Sequence, residues 1–162
     1  MTQSVFLLCS FVFLSSFSGC CLPPQMESEP ETKIVLSGDI LVSDRVNPDQ
    51  DGRPSPVTVR IYQLASVDNF KSTDFLPLYD DDETALGTDL VFKEEMEVYP
   101  GIEIPFQREW AGSTRYLGVM VMFRDLENSK WRAIASLPEE GSFPVVVRID
   151  DSSVSIWEET GI

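Results

Sequence analysis

Chemistry in a chain of this kind has few residue types to work with. The sequence has no histidine, 27 aspartates and glutamates against 12 lysines and arginines, and three cysteines. Without imidazole there is no Ser-His or Cys-His nucleophile pair, no histidine acid–base step, and no donor set for most zinc or iron sites. No pair of carboxylates stands out from the general acidic excess, so we assign no catalytic residue and expect no enzyme. The stretch Asn47-Pro48-Asp49-Gln50-Asp51-Gly52 has the spacing that opens a calcium loop. The closing glutamate such a loop needs would fall at Thr58, inside a strand pattern, so the stretch reads as an Asx-rich surface loop. The acidic run Asp80-Asp81-Asp82-Glu83 reads as a solvated helix start, since carboxylates suit a helix N-terminus. No metal or cofactor site is assigned. Trp110, Trp131 and Trp157 lie in or beside strand patterns and read as packing residues.

The remaining reactive group is a thiol. Residues 5–17 are almost all apolar, a run of about 13, too short for the roughly 20 residues a membrane helix needs but of signal-peptide length. It ends in Phe17-Ser18-Gly19-Cys20, small residues set directly before a cysteine. This arrangement resembles a bacterial lipobox, in which the cysteine thiol takes a diacylglyceryl group, the peptide is cut before it, and the new amine is acylated. Cys20 is therefore the expected lipidation site, and the covalent lipid the only added group. The alternative is an ordinary cleaved signal or a mis-called start. Residues 1–19 carry no charge, so the formal −15 belongs wholly to residues 20–162. Such a surface excludes nucleic acid and adhesion to anionic head groups, leaving lipid as the route to a membrane. With Cys9 removed and Cys20 acylated, Cys21 has no intrachain partner.

Three parts must position these groups: a signal at 1–19, a tether at 20–32, and one β domain at 33–162. Cys21-Leu22-Pro23-Pro24-Gln25-Met26-Glu27-Ser28-Glu29-Pro30-Glu31-Thr32 has little to bury, is expected to stay mobile, and could span about 40 Å. The domain reads as eight strands, near 34–42, 57–62, 90–99, 102–108, 116–123, 131–137, 143–149 and 154–157. The first is interrupted by Ser37-Gly38-Asp39. In the second, Val57, Val59 and Ile61 alternate with Thr58, Arg60 and Tyr62, the pattern of one buried face. Pro100-Gly101 predicts a type II turn, and 116–123 a central strand covered on both faces. Strand 131–137 should pair with 116–123, and 143–149 should form a hairpin with 154–157. One or two short helices come after the second strand, with Ser66 as a cap and Phe70, Phe75 and Leu78 packing over a sheet end. The expectation is an all-β, antiparallel, eight-stranded sandwich.

An ordered set of segments carries a resemblance across this domain. It runs from Asp51-Gly52-Arg53-Pro54-Ser55-Pro56-Val57-Thr58-Val59-Arg60-Ile61-Tyr62-Gln63-Leu64 through Asp74-Phe75-Leu76-Pro77-Leu78-Tyr79-Asp80 and Leu86-Gly87-Thr88-Asp89-Leu90. It continues through Pro100-Gly101, Arg115-Tyr116-Leu117-Gly118-Val119, Phe123-Arg124-Asp125-Leu126 and Trp131-Arg132. Behind a lipobox, this set resembles the outer-membrane lipoproteins of type VI secretion, the TssJ (SciN/VasD) family. The resemblance implies a transthyretin-like sandwich with added helices, lipid-anchored to the periplasmic face of the outer membrane. It implies binding to the periplasmic C-terminal domain of TssM, in a membrane complex with TssL, and no small-molecule substrate. It implies that the loop joining the first two strands, 43–55 here, contributes to that contact. The projecting part is expected to be Val46, Asn47, Pro48, Asp49, Gln50, Asp51, Gly52 and Arg53. Cys21 stands where an aspartate would signal inner-membrane retention. The competing class is a periplasmic lipoprotein that binds a small ligand or glycan in a sandwich pocket, which would need a concave, aromatic-lined site.

Overall fold

Runs that alternate apolar and polar side chains can bury one face and solvate the other, and each becomes a strand in the computed structural model, which describes residues 33–158. The strands are β1 (Lys33–Val42), β2 (Val57–Leu64), β3 (Leu90–Val98), β4 (Glu103–Ala111), β5 (Tyr116–Val121), β6 (Arg132–Ser136), β7 (Gly141–Ile149) and β8 (Val154–Glu158). They form two four-stranded sheets, ordered β4-β1-β7-β8 and β3-β2-β5-β6. The eight-stranded sandwich is as expected, and so are the β5–β6 and β7–β8 pairings. Residues 1–32, including Cys20 and the expected tether, lie outside the described residues, as do 159–162.

Two points of the strand pattern differ from the reading of the sequence. The sheets are not wholly antiparallel: β1 and β7 run parallel, with Ile34 opposite Gly141 and Val42 opposite Ile149. A parallel neighbour requires a long crossover, and nothing local in either strand records it. β1 is also unbroken at Gly38, where a Cβ would stand 1.8 Å from the Val145 carbonyl oxygen, so glycine is what lets β7 approach. As expected, β3 and β4 flank the Pro100-Gly101 turn, whose Gly101 has a positive φ of 74°; the turn carries the chain from one sheet to the other.

The inner faces make one core from Ile34, Leu36, Val59, Val119, Val121, Val145 and their neighbours, each fully buried. At about 1.5–3 kcal/mol per large side chain removed from water, this layer is the main source of stability. A second cluster covers the outer face of the β2–β5–β6 sheet. There Tyr62, Leu64 and Met120 meet Phe70, Leu78 and Leu86 from three short helices, α1 (Asp68–Ser72), α2 (Phe75–Asp80) and α3 (Asp82–Leu86), succeeded by a 3-10 turn at Gly87–Asp89. There are three helices rather than one or two, and they lie on a sheet face rather than at its end. Tyr62, placed by alternation on the open face, is completely buried beneath them. Gly118 makes room for this layer, because a Cβ there would sit 2.9 Å from Leu64 and 3.3 Å from Phe70. Ser66 accepts the Asp68 N–H at 3.3 Å just ahead of α1, and Asp81 caps α3 by accepting the Thr84 N–H.

Candidate functional site

Strand direction sorts the connections into two ends. The chain enters β1 at Lys33, level with Ala111 and beside Gly141. It leaves at Val42 on the opposite end, where the loops 43–56, 122–131 and 150–153 gather with the 99–102 turn. Ten residues of β1 separate the two ends, about 33 Å at strand rise.

The 43–56 loop is held by its own polar groups. Asp49 accepts the Asp51 and Arg53 N–H groups, both at 2.9 Å, and its other oxygen takes Arg53 Nε at 3.0 Å. Gly52, at φ 77°, donates its N–H to the Asp49 carbonyl. Hydrogen bonding from the Arg53 N–H, more than any other cause, holds the Asp49 carboxyl below its ordinary range. A carboxylate so engaged serves its own loop. Among the described residues, no three cysteine or acidic side chains converge closely enough to hold a metal ion.

Of the eight residues expected to project, six do so to differing degrees. Val46 is wholly buried in the inner core and Asn47 is 7% exposed, so both form the root of the loop and not its contact surface. Pro48 and Asp49 are half-buried, while Gln50, Asp51, Gly52 and Arg53 are exposed. Asn47 is the one non-glycine residue with positive φ, 49°, among those described. Its N–H donates to the Asp151 carbonyl at 2.8 Å, its Nδ2 to the Pro56 carbonyl at 2.9 Å, and its Oδ1 accepts the Arg124 N–H at 2.8 Å. One residue thus ties three loops together, through its backbone N–H to the 150–153 loop and through its side chain to Pro56 and the 122–131 loop. Ser43 and Arg45 add contacts to the Asp151 carboxylate at 3.1 and 3.4 Å. Between the loops lies a concavity of about 490 Å³. Arg124, Asp125, Asp151 and Ser152 belong to this end and were not among the expected contact residues. Turn residues marked their loops, but no local pattern says that loops this distant in sequence share a wall.

The other buried polar cluster is structural. Asp82, 2% exposed, sits under the helices and accepts from Tyr62 Oη at 3.0 Å and Arg60 Nη1 at 3.2 Å, with Lys93 on its second oxygen. Burial first, and the neighbouring Asp82 charge second, push the Tyr62 hydroxyl well above its ordinary range. The tryptophans do not converge on a pocket. Trp110 is 5% exposed and lines a cavity of only about 50 Å³ between the sheets. Trp131 packs edge-on against Phe75 at 5.2 Å, and Trp157 lies on β8.

Comparison with known proteins gives a consistent picture. Residues 35–152 match the family described as Type VI secretion lipoprotein, VasD, EvfM, TssJ. Among solved structures, the type VI secretion lipoprotein TssJ1 from Pseudomonas aeruginosa is 26% identical, with a TM-score of 0.74 over 82% of this chain and 100% of that one. Serratia marcescens Lip, a membrane-bound component of the type VI secretion system, is 22% identical, with a TM-score of 0.66 over 82% of this chain and 99% of that one. A chain in a structure described as the type VI secretion protein TssM C-terminal domain (869-1107) from EAEC is 22% identical, with a TM-score of 0.61 over 78% of this chain and 98% of that one. A search of curated proteins gave no match.

Proposed function

The chain belongs to the type VI secretion lipoprotein family, and from that premise we propose that it anchors a type VI secretion membrane complex to the outer membrane and grips the periplasmic C-terminal domain of TssM. Cys20 carries the lipid, residues 20–32 form the tether, and the exposed part of the 43–56 loop makes the contact. The observation that carries this reading is the opposition of the two ends. The chain enters on one end of the sandwich, and the loop projects from the other. A domain held by lipid at its entry end presents the loop away from the membrane. The loop's internal bonds and its prolines limit what is lost on ordering, which favours docking.

A second support comes from the EAEC structure. A chain of this fold, 22% identical, occurs in a structure described as the TssM C-terminal domain, which accords with a place beside that domain. No catalytic step enters the proposal. Among the described residues no helix is long and apolar enough to cross a membrane; the proposal assigns membrane attachment to the lipid on Cys20.

Two measurements test the reading. Changing Pro48, Gln50, Asp51 and Arg53 to glycine or serine, with Val46 and Asn47 kept, should leave the thermal midpoint within a few degrees and abolish binding of the TssM domain. Retained affinity refutes the loop contact. Cys20→Ser should release the protein from outer-membrane fractions and stop secretion; a variant that still fractionates there refutes the anchor.

A further inference from the structure

We propose that the contact is made by a groove with three walls, and that the groove receives a Lys or Arg side chain of the partner. This rests on the docking role proposed above for the loop end. Its volume, about 490 Å³, falls in the range of clefts that bury a ligand. Pro48 and Gln50 form one wall, Arg124 and Asp125 the second, and Asp151 and Ser152 the third. Phe123, 5% exposed, lies at its base beside Asn47.

The walls are fixed before any partner arrives. Asn47 bonds to the backbone of all three loops, and the Asp151 carboxylate is held by Ser43 and Arg45. Asp125 is held in place by accepting the N–H and Nδ2 of Asn128. A site already ordered loses little freedom when it is filled, and an anchor side chain seated in such a recess dominates binding.

Charge selects the anchor. Arg124 is the one cation among the lining residues, and its guanidinium already bonds Ser55 Oγ at 3.3 Å; of the lining carboxylates, Asp49 is paired with Arg53 and Asp151 with Arg45, while Asp125 accepts only from the neutral Asn128. The chain as a whole carries −15, which speeds the approach of a basic segment. A Lys or Arg would lay its aliphatic stem along Phe123 and place its head at the Asp125 carboxylate.

The test titrates the mature protein in detergent with the purified TssM C-terminal domain. Ser152→Arg fills the groove with a cation, and Asp125→Lys reverses one wall. Glu127→Lys makes the same charge change in the same loop outside the groove. Each variant's thermal midpoint is checked, and Asp125→Asn, which keeps an acceptor for Asn128, covers any disturbance of that turn by lysine. We expect both groove variants to weaken binding at least about tenfold, or 1.4 kcal/mol, and Glu127→Lys by less than about threefold. If Ser152→Arg and Asp125→Lys bind like the parent while the loop replacement does not, the groove is refuted and the loop contact stands. If the loop replacement also binds normally, both fall. Equal weakening by Glu127→Lys overturns the groove in favour of general charge.

Discussion

Replacing Asn47 separates the contribution of its side chain from that of its backbone. Asn47→Gly keeps the left-handed conformation available but removes the bond to the Pro56 carbonyl at 2.9 Å and the one from the Arg124 N–H at 2.8 Å. A net hydrogen bond contributes about 0.5–1.5 kcal/mol, and a buried group left unpaired costs about 1–3 kcal/mol. The groove lets water reach these groups, so the lower part of the range applies and the expected loss is about 2 kcal/mol. Asn47→Ala removes the same bonds and adds about 1–2 kcal/mol, because alanine has neither the short polar side chain that eases φ 49° for asparagine nor the freedom of glycine. Its loss should be about 3–4 kcal/mol. For a domain of this size each kcal/mol lowers the midpoint by about 3–5 °C, so glycine should melt roughly 6–10 °C below the parent and alanine lower still. Urea titration with an unchanged slope provides the free energies. A glycine variant within about 0.5 kcal/mol of the parent would show that the side chain holds nothing. An alanine variant as stable as glycine would refute the backbone argument.

Three other outcomes rest on the packing and the charges. Asp82→Ala strands Arg60 and Lys93, but Arg60 keeps Glu95 and Lys93 is 36% exposed, so the usual loss of 3–5 kcal/mol for a broken buried pair is reduced to about 2–4 kcal/mol; a measured loss below 1 kcal/mol would contradict the network. Gly38→Ala places a Cβ 1.8 Å from the Val145 carbonyl oxygen, so no folded protein should accumulate; normal abundance would mean that β1 and β7 are not so closely paired. The Asp49 carboxyl is shifted below its ordinary 3.8, so its contribution to loop order is complete above the unfolded value and fades as pH falls through the lower folded one. The Arg53 amide resonance should report a titration centred below the ordinary 3.8 that vanishes in Asp49→Asn, and a midpoint at or above 3.8 would contradict the bond.

What could be read from the sequence was what lies close along the chain. Alternation at Val57, Val59 and Ile61 placed a strand, Pro100-Gly101 placed a turn, and the unbroken apolar run from Tyr116 placed a central strand. Partnership across the sandwich was not readable. The parallel pairing of β1 with β7 depends on a glycine whose neighbour is more than a hundred residues away, and Gly38 looked instead like a break. Tyr62 obeyed the alternation rule onto the outer face, and only the helical layer above it explains its burial. The 43–56 loop was legible as a surface loop from its Asx and proline content. Its root was not, because Val46 belongs to the core and Asn47 bonds an amide 77 positions away.

β1 has a mechanical consequence. Under the arrangement proposed above, tension between a lipid-held terminus and a partner seated on the loop enters at Lys33 and leaves past Val42. A strand rises about 3.3 Å per residue, close to the 3.3–3.6 Å limit of a stretched chain, so this link has almost no length to release. Breaking β2 to β8 apart would not lengthen it, and pulling gains nothing by unfolding them. The load runs down one taut backbone while the rest of the sandwich braces it from both sides through β4 and β7.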